Sequence, residues 1–170
     1  MPDISDKLRS FLEKMMRVIP GYGGYADREA RRNSDKVLRL HLAGMLQQAK
    51  ASFDAFVAEL TTRPGGLDFM TAAGSVAKSL EKSIDRLKFA DYGYTGFFDA
   101  ERVQEPQLDA LYQFDRDLAG GITDITQKIA KLSADNPGAV GPQLQELQAD
   151  LRRLDVKIDG RHSVIATKAV

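Results

Sequence analysis

Residues 21–29 read GYGGYADRE, and residues 93–101 read GYTGFFDAE, 72 positions further along the chain. Both stretches follow the pattern Gly-Tyr-x-Gly-aromatic-x-Asp-x-Glu, and we call them the first and the second knuckle. The segments before the knuckles share their apolar spacing at the same offset. The corresponding pairs are Ile4 and Val76, Leu8 and Leu80, Leu12 and Ile84, and Met15 and Leu87. Because glycine adopts the backbone angles of tight turns, each knuckle predicts a turn between two helices.

Helical periodicity dominates the sequence on both sides of the knuckles. Apolar residues recur at steps of three and four, and nowhere do apolar and polar residues alternate in the manner of a strand. Proline and glycine divide the periodic stretches, because proline disfavours helical geometry before it and glycine suits the turn after a helix. The pattern predicts five helices with the bounds 3–19, 27–62, 67–90, 106–135 and 141–160.

Each predicted helix carries a single apolar stripe, so each one needs neighbours that cover it. Stripes joined by short turns favour a helical bundle. We therefore expect an all-α fold, an elongated antiparallel bundle of four to five helices with coiled-coil spacing, in one domain over residues 1–170. The longest helix, 27–62, would extend about 55 Å at about 1.5 Å per residue.

The knuckle repeat also predicts two helix–turn–helix units, 3–63 and 67–135, followed by the C-terminal helix 141–160. The similarity fades inside the second helix of each unit. Duplication of one unit and convergence on the same turn chemistry are therefore both open explanations. The tail, 161–170, continues no clear pattern, and we expect it to fray.

The bulk composition disfavours several classes of function. The charges of 24 basic and 24 acidic side chains cancel. A protein that binds mainly through phosphate contacts carries a net positive charge, so we expect no nucleic-acid partner. The chain contains no cysteine, which excludes disulfides and thiolate metal sites. It lacks an apolar run of about 18 residues and a secretory signal at its start, so we expect a cytoplasmic protein.

The first knuckle and the basic residues after it form one candidate site. Gly23 and Gly24 place backbone N–H groups just before a helix, an arrangement that suits a small anionic ligand. A structural role competes with this interpretation, because the glycines serve a turn and the aromatic rings can cover the end of the bundle. The phosphate-loop fingerprints do not occur in the sequence. The candidate ligand or partner surface consists of Tyr22, Tyr25, Arg28, Arg31 and Arg32.

Asp115 and His41 form a second candidate, a buried polar pair. Asp115 takes a core position in an apolar stripe, where an unpaired carboxylate is expensive. His41 lies on or beside the stripe of the second helix, with Arg39 close in sequence. A contact of Asp115 with His41 or with an arginine would fix the helix register, as buried polar residues do in coiled coils. A functional site is the alternative, since a neighbouring carboxylate tunes a histidine.

Metal and catalytic chemistry have little support in the sequence. The chain has two histidines and lacks the Glu-x-x-His pairs of di-metal bundles, so we predict no metal, no cofactor and no catalytic residue. Gly120 and Gly121 interrupt the fourth helix with poor helix formers. They indicate either the close approach of another helix or a kink.

Three functions fit these features. We expect first a non-enzymatic interaction or scaffold protein that binds a protein partner or itself, with a protomer interface on the heptad faces of the fourth and fifth helices. The second is a peripheral membrane protein, since helix 3–19 is apolar on one side and carries Lys7 and Lys14 elsewhere. The third is a protein that binds a small anionic ligand at the first knuckle.

Overall fold

The computed structural model describes residues 6–90, 96–100 and 103–166. Within these ranges the regular structure is entirely helical, so the predicted all-α fold is confirmed. The helices are α1 (Asp6–Val18), α2 (Arg28–Leu60), α3 (Met70–Lys88), α4 (Gly96–Asp99), α5 (Glu105–Ala130) and α6 (Pro137–Ala166), with a short 3-10 helix, Gly66–Phe69, before α3. Residues 93–95 and 101 of the second knuckle lie outside the described residues.

Four helices form the bundle, and each packs against two neighbours: α2 against α3 and α5, and α6 against α3 and α5. The chain therefore makes two antiparallel hairpins, α2–α3 and α5–α6, which stand side by side. Ion pairs between the hairpins show their relative direction, since Lys82 pairs with Asp155 and, one helical turn further, Arg86 pairs with Asp159. Both partners advance together, so α3 and α6 run parallel to each other.

α1 is a fifth helix on the outside of the bundle, where it packs mainly against α5. Its apolar residues Leu8, Phe11 and Met15 are buried. The face that the sequence offers to a membrane is therefore covered by the bundle itself. No helix in the described part of the chain combines the length and the apolar character that crossing a bilayer requires.

The apolar stripes of α5 and α6 face the core of the bundle. The buried aliphatic side chains are Leu108, Leu111, Leu118, Ile122, Ile125 and Ile129 of α5, and Leu144, Leu147, Leu151, Leu154 and Ile158 of α6. Side chains that are buried between helices of one chain are not available to a second copy. The heptad faces therefore form the core of one chain, and a protomer interface on these two helices stays a prediction.

The turn between α2 and α3 depends on two glycines. Gly65 has a φ of +74°, in the left-handed region that glycine favours. A Cβ on Gly66 would lie 1.8 Å from the backbone carbonyl oxygen of Leu60. The last turn of α2 therefore passes so close to the chain that only glycine fits at position 66.

The C-terminal helix is longer than the predicted range 141–160. It begins at Pro137, where the missing N–H has no cost because the first helical turn leaves its amides unpaired. It continues through Arg161, and both Arg161 and Ile165 are buried. The first part of the predicted tail therefore packs against the bundle instead of fraying, and residues 167–170 lie outside the described residues.

Candidate functional site

Four buried charges meet at the end of the bundle near the first knuckle. They are Asp35 and Arg39 on α2, Asp115 on α5 and Arg161 on α6, and together with Tyr25 we call them the ionic cluster. Asp115 has 0% and Arg161 has 1% of its surface exposed. The Arg161 Nε donates to Asp115 Oδ1 at 2.5 Å, and the Nη2 donates to Asp35 Oδ1 at 2.7 Å. One guanidinium thus joins carboxylates from two other helices.

The remaining carboxylate oxygens of the cluster are bonded as well. The Tyr25 hydroxyl donates to Asp115 Oδ2 at 2.7 Å, and Arg39 Nε donates to Asp35 Oδ2 at 2.9 Å. Arg39 Nη1 also donates to the carbonyl oxygen of Leu87, near the end of α3, at 2.8 Å. Two acids and two bases therefore cancel inside the bundle, and each carboxylate oxygen has a donor, as a buried ionic group requires.

Burial changes the acid–base properties of this cluster. It raises the pKa of Asp115 above the ordinary value, while Arg161 and Tyr25 act in the opposite direction. Burial also holds the pKa of Tyr25 well above its ordinary value, and the charge of Asp115 adds to that effect. Groups with a shifted pKa indicate an active site when they line a cleft, but Asp115 and Tyr25 are fully buried. The cluster therefore ties α2, α5 and α6 together and presents no charge to a ligand.

The first knuckle is folded into the same end of the bundle. The Tyr25 backbone N–H donates to the Tyr112 hydroxyl at 2.7 Å, and the two rings stack with their centroids 5.3 Å apart. Gly24 has a φ of +75°, and a Cβ there would lie 2.7 Å from the same hydroxyl. Glycine at this position therefore allows both the turn and the close approach of Tyr112.

The arginines after the first knuckle contact the described part of the second one. Arg31 is buried, and it donates to the carbonyl oxygens of Tyr25 and Ala100 at 2.7 Å each. The Arg32 guanidinium lies over the ring of Phe98, 5.6 Å from the centroid, which is a cation–π distance. These contacts connect residues 25–32 with residues 98–100 at one end of the fold.

The five residues predicted as a surface at the first knuckle do not form one exposed surface. Tyr22, Tyr25 and Arg31 are buried, and only Arg28 and Arg32 are exposed. The physical reason is that the aromatic rings pack against one another and the Arg31 donors go to backbone carbonyls. The structural role that competes with ligand binding therefore accounts for three of the five residues.

Asp115 has a partner other than His41. The hydrogen bonds of Asp115 go to Arg161 and Tyr25, and among the described residues none joins it to His41. His41 is half-buried and lines a separate cleft. The predicted pair of His41 with Asp115 is therefore wrong, and an arginine takes the place of the histidine.

Asp35 and Arg161 are the residues that the sequence interpretation missed. Both continue the apolar stripe of their own helix, since Asp35 lies one turn before Leu38, and Arg161 lies between Ile158 and Ile165. The same step of three or four residues that identifies a core position would place both charges inward. This signal was present in the sequence for both residues.

An open cleft of about 560 Å³ lies between α1, α2 and α5. Its volume falls within the range of about 300–1,000 Å³ that is usual for ligand sites. Most of the lining is apolar or small, and it consists of Phe11, Met15, Val18, Leu42, Met45, Ala119 and Gly120. The cleft therefore offers apolar surface to another molecule.

Gly120 contributes to the open space of the cleft. A Cβ on Gly120 would meet no atom within 4 Å. The next residue, Gly121, faces α6, and a Cβ there would lie 3.8 Å from Leu154 Cδ1 and 3.1 Å from Lys157 Nζ. The close helix approach predicted for the glycine pair therefore applies to Gly121 and not to Gly120.

The polar lining of the cleft is mainly basic. Each of the three helices adds one basic side chain, Lys14 from α1, His41 from α2 and Arg116 from α5. Among the described residues that line the cleft, Asp124 is the one acid. Within the described ranges Lys14 and Asp124 form no ion pair, so both charges are available to an occupant.

The cleft brings together no catalytic set. The Thr123 hydroxyl donates to the Ala119 carbonyl oxygen at 2.9 Å, which uses its proton inside α5. In the part of the chain that the structure describes, no group of three or more His, Asp or Glu side chains is placed to hold a metal ion. The geometry therefore suits the binding of a molecule that combines apolar surface with charge.

Known proteins provide no identification. A scan against protein-family models found no match. Searches of curated proteins and of solved structures found no match either. The cleft and the ionic cluster are therefore the features from which a function can be argued.

Proposed function

We propose that the protein is a non-enzymatic interaction module, a helical bundle that binds a partner molecule in the cleft between α1, α2 and α5. The observation that carries this proposal is the cleft itself, about 560 Å³ of open volume with a mainly apolar lining. Burial of apolar surface is favourable in water, so contact with another molecule would be stabilised there. Concave, mainly apolar sites with a few polar groups are the common form of binding sites.

The arrangement of charged groups supports binding over catalysis. Burial raises the pKa of both Asp115 and Tyr25, yet both groups are closed off from any substrate. A catalytic acid or base must come within hydrogen-bond reach of the reacting group. In this proposal the ionic cluster serves as a frame that holds α2 and α5 in place on two sides of the cleft.

The two other functions considered from the sequence have less support. Membrane binding through α1 would require the helix to release Leu8, Phe11 and Met15 from the bundle. Anion binding at the first knuckle would rest on Arg28 and Arg32, because the other candidates are buried. Neither function uses the open apolar surface that the fold presents.

Occupation of the cleft can be tested with N-phenyl-1-naphthylamine, a neutral apolar dye whose fluorescence rises in a dry site. Gly120→Leu should fill part of the cleft, since a side chain there enters open space, and should weaken dye binding by about tenfold. Gly74→Leu is the matched control, because Gly74 on α3 also faces open space but does not line the cleft. Circular dichroism verifies that both variants fold.

Two results would contradict the proposal. One is the absence of dye binding by the unchanged protein, and the other is equal dye binding by the unchanged protein and Gly120→Leu. Sedimentation velocity on the same samples determines whether a second copy of the chain is the occupant. In that case the protein associates, and Gly120→Leu reduces the association while Gly74→Leu does not.

A further inference from the structure

We infer that the cleft takes a free molecule with an apolar body and a single anionic group, such as a long-chain carboxylate. The inference rests on the binding role proposed for the cleft and specifies the chemistry of its occupant. It depends on the charges that surround the apolar lining and on the side chain that is missing at Gly120.

Basic groups reach the cleft from three directions. Lys14, His41 and Arg116 belong to three different helices, and within the described part of the lining Asp124 is the one acid that opposes them. Lys14 and Arg116 alone carry one more unit of charge than Asp124 opposes. An anionic group would be attracted to the lining and a cationic one repelled, and such complementarity determines which partners are accepted.

The charges are unevenly placed along α5. Arg116 and Asp124 are eight residues apart, about 12 Å along the helix axis. Asp124 therefore repels an anionic group from its own end of the cleft and leaves the end near Arg116 as the favourable one. Arg116 is partly neutralised by the Asp117 carboxylate at 3.3 Å. Lys14 forms no ion pair among the described residues and is therefore the main anion-binding group.

The apolar part of the cleft suits a chain or a ring system. Met15 and Met45 contribute unbranched side chains that adapt to irregular shapes, and Phe11 adds an aromatic surface. Glycine inside a helix is destabilising relative to alanine, and no neighbouring atom requires a glycine at position 120. The missing side chain leaves room for the body of a ligand.

The preferred head group can be measured by displacement of N-phenyl-1-naphthylamine from the full chain. Three competitors share a twelve-carbon tail and differ in charge: dodecanoate, 1-dodecanol and dodecyltrimethylammonium, each kept below its micelle concentration. Dodecanoate should bind about tenfold more tightly than dodecyltrimethylammonium, with dodecanol between them, because the first is attracted by the lining and the last is repelled.

A lysine substitution connects this preference to the cleft. Lys14→Gln should lower the affinity for dodecanoate about threefold and leave the affinity for dodecanol unchanged. Lys7→Gln is the matched control, since Lys7 is exposed on the same helix but lies outside the lining. It should leave both affinities unchanged.

The possible outcomes distinguish a failure of this inference from a failure of the proposed binding function. Equal binding of the three competitors, or a preference for dodecanoate that Lys14→Gln does not reduce, overturns the inference while the cleft remains a binding site. No dye binding by the unchanged protein overturns both. Flotation with vesicles of phosphatidylglycerol but not of phosphatidylcholine, without binding of monomeric dodecanoate, overturns the assignment to a free molecule.

Discussion

The positive charge of Arg161 compensates the negative charges of two aspartates at the first-knuckle end of the bundle. It donates to Asp115 at 2.5 Å and to Asp35 at 2.7 Å, and all three side chains are buried. Removal of one member of a buried ionic group is strongly destabilising, because the opposite charge stays behind without compensation. We expect Arg161→Met to lower the free energy of unfolding by about 3–5 kcal/mol, measured by urea denaturation followed by circular dichroism.

A second substitution separates this charge effect from the loss of packing. In Arg161→Met/Asp115→Asn the charge at 115 is removed, and the amide oxygen can still accept from Tyr25. The double variant should therefore be more stable than Arg161→Met by about 1–3 kcal/mol. Arg153→Met breaks only a pair with Asp150 on the surface and should change stability by less than about 1 kcal/mol. A double variant no more stable than the single one would mean that shape, not charge, matters at 161.

The burial of Asp115 could be predicted from the sequence, whereas its partner could not. Periodicity reports which side of its own helix a residue occupies, so the apolar stripe of α5 places Asp115 in the core. Pairing depends on how α2, α5 and α6 pack, and the pattern of one helix does not contain that information. Asp35 and Arg161 occupy inward positions of their stripes, so their burial was predictable but their meeting was not.

The positions of most helices follow from local chemistry, whereas α6 differs from its predicted range at both ends. Pro137 and Pro142 both suit the first turn of a helix, so the sequence offers two starting points. The structure uses the first one. The order of the helices around the bundle has no local signature, and neither does the cleft, because its width depends on where α1 rests on α5.

Two glycines should respond in opposite ways to the addition of one methyl group. Gly120→Ala should stabilise the protein by about 0.5–1 kcal/mol, because the methyl group meets no atom within 4 Å and alanine is the better helix former. Gly66→Ala should destabilise it by about 1–3 kcal/mol, since the Cβ would lie 1.8 Å from the Leu60 carbonyl oxygen. Thermal and urea unfolding measure both changes. If Gly66→Ala stabilises the protein, the α2–α3 turn can open without loss of stability.

The two ends of the bundle are held by different chemistry. At one end Arg63 pairs with Asp135, which joins the two hairpin turns through exposed side chains 2.7 Å apart. At the other end the ionic cluster and the first knuckle join four helices through buried groups. Exposed ion pairs contribute little to the free energy of unfolding. Proton binding can therefore change the stability of the whole molecule mainly at the buried end.

Three tyrosines at the buried end make the fold sensitive to alkaline pH. Burial raises the pKa of Tyr22, Tyr25 and Tyr112 above the ordinary tyrosine value. A group whose pKa is raised in the folded state gives a stabilisation that is complete below the unfolded pKa and is lost as the pH rises, because the unfolded chain releases the proton first. Above about pH 10 the free energy of unfolding should fall by up to about 4 kcal/mol per pH unit.

A base titration followed by tyrosinate absorbance and by circular dichroism tests this expectation, and Tyr22→Phe isolates one group. The Tyr22 hydroxyl makes no hydrogen bond among the described residues, so its removal should leave stability at neutral pH unchanged or raise it. In the variant the loss of stability above about pH 10 should be smaller by about 1.4 kcal/mol per pH unit. The absorbance difference between the two proteins should appear together with the loss of helix. Ionisation of Tyr22 at the ordinary value with the helices intact would mean that the first knuckle opens by itself, and that the ionic cluster does not keep this end of the bundle closed.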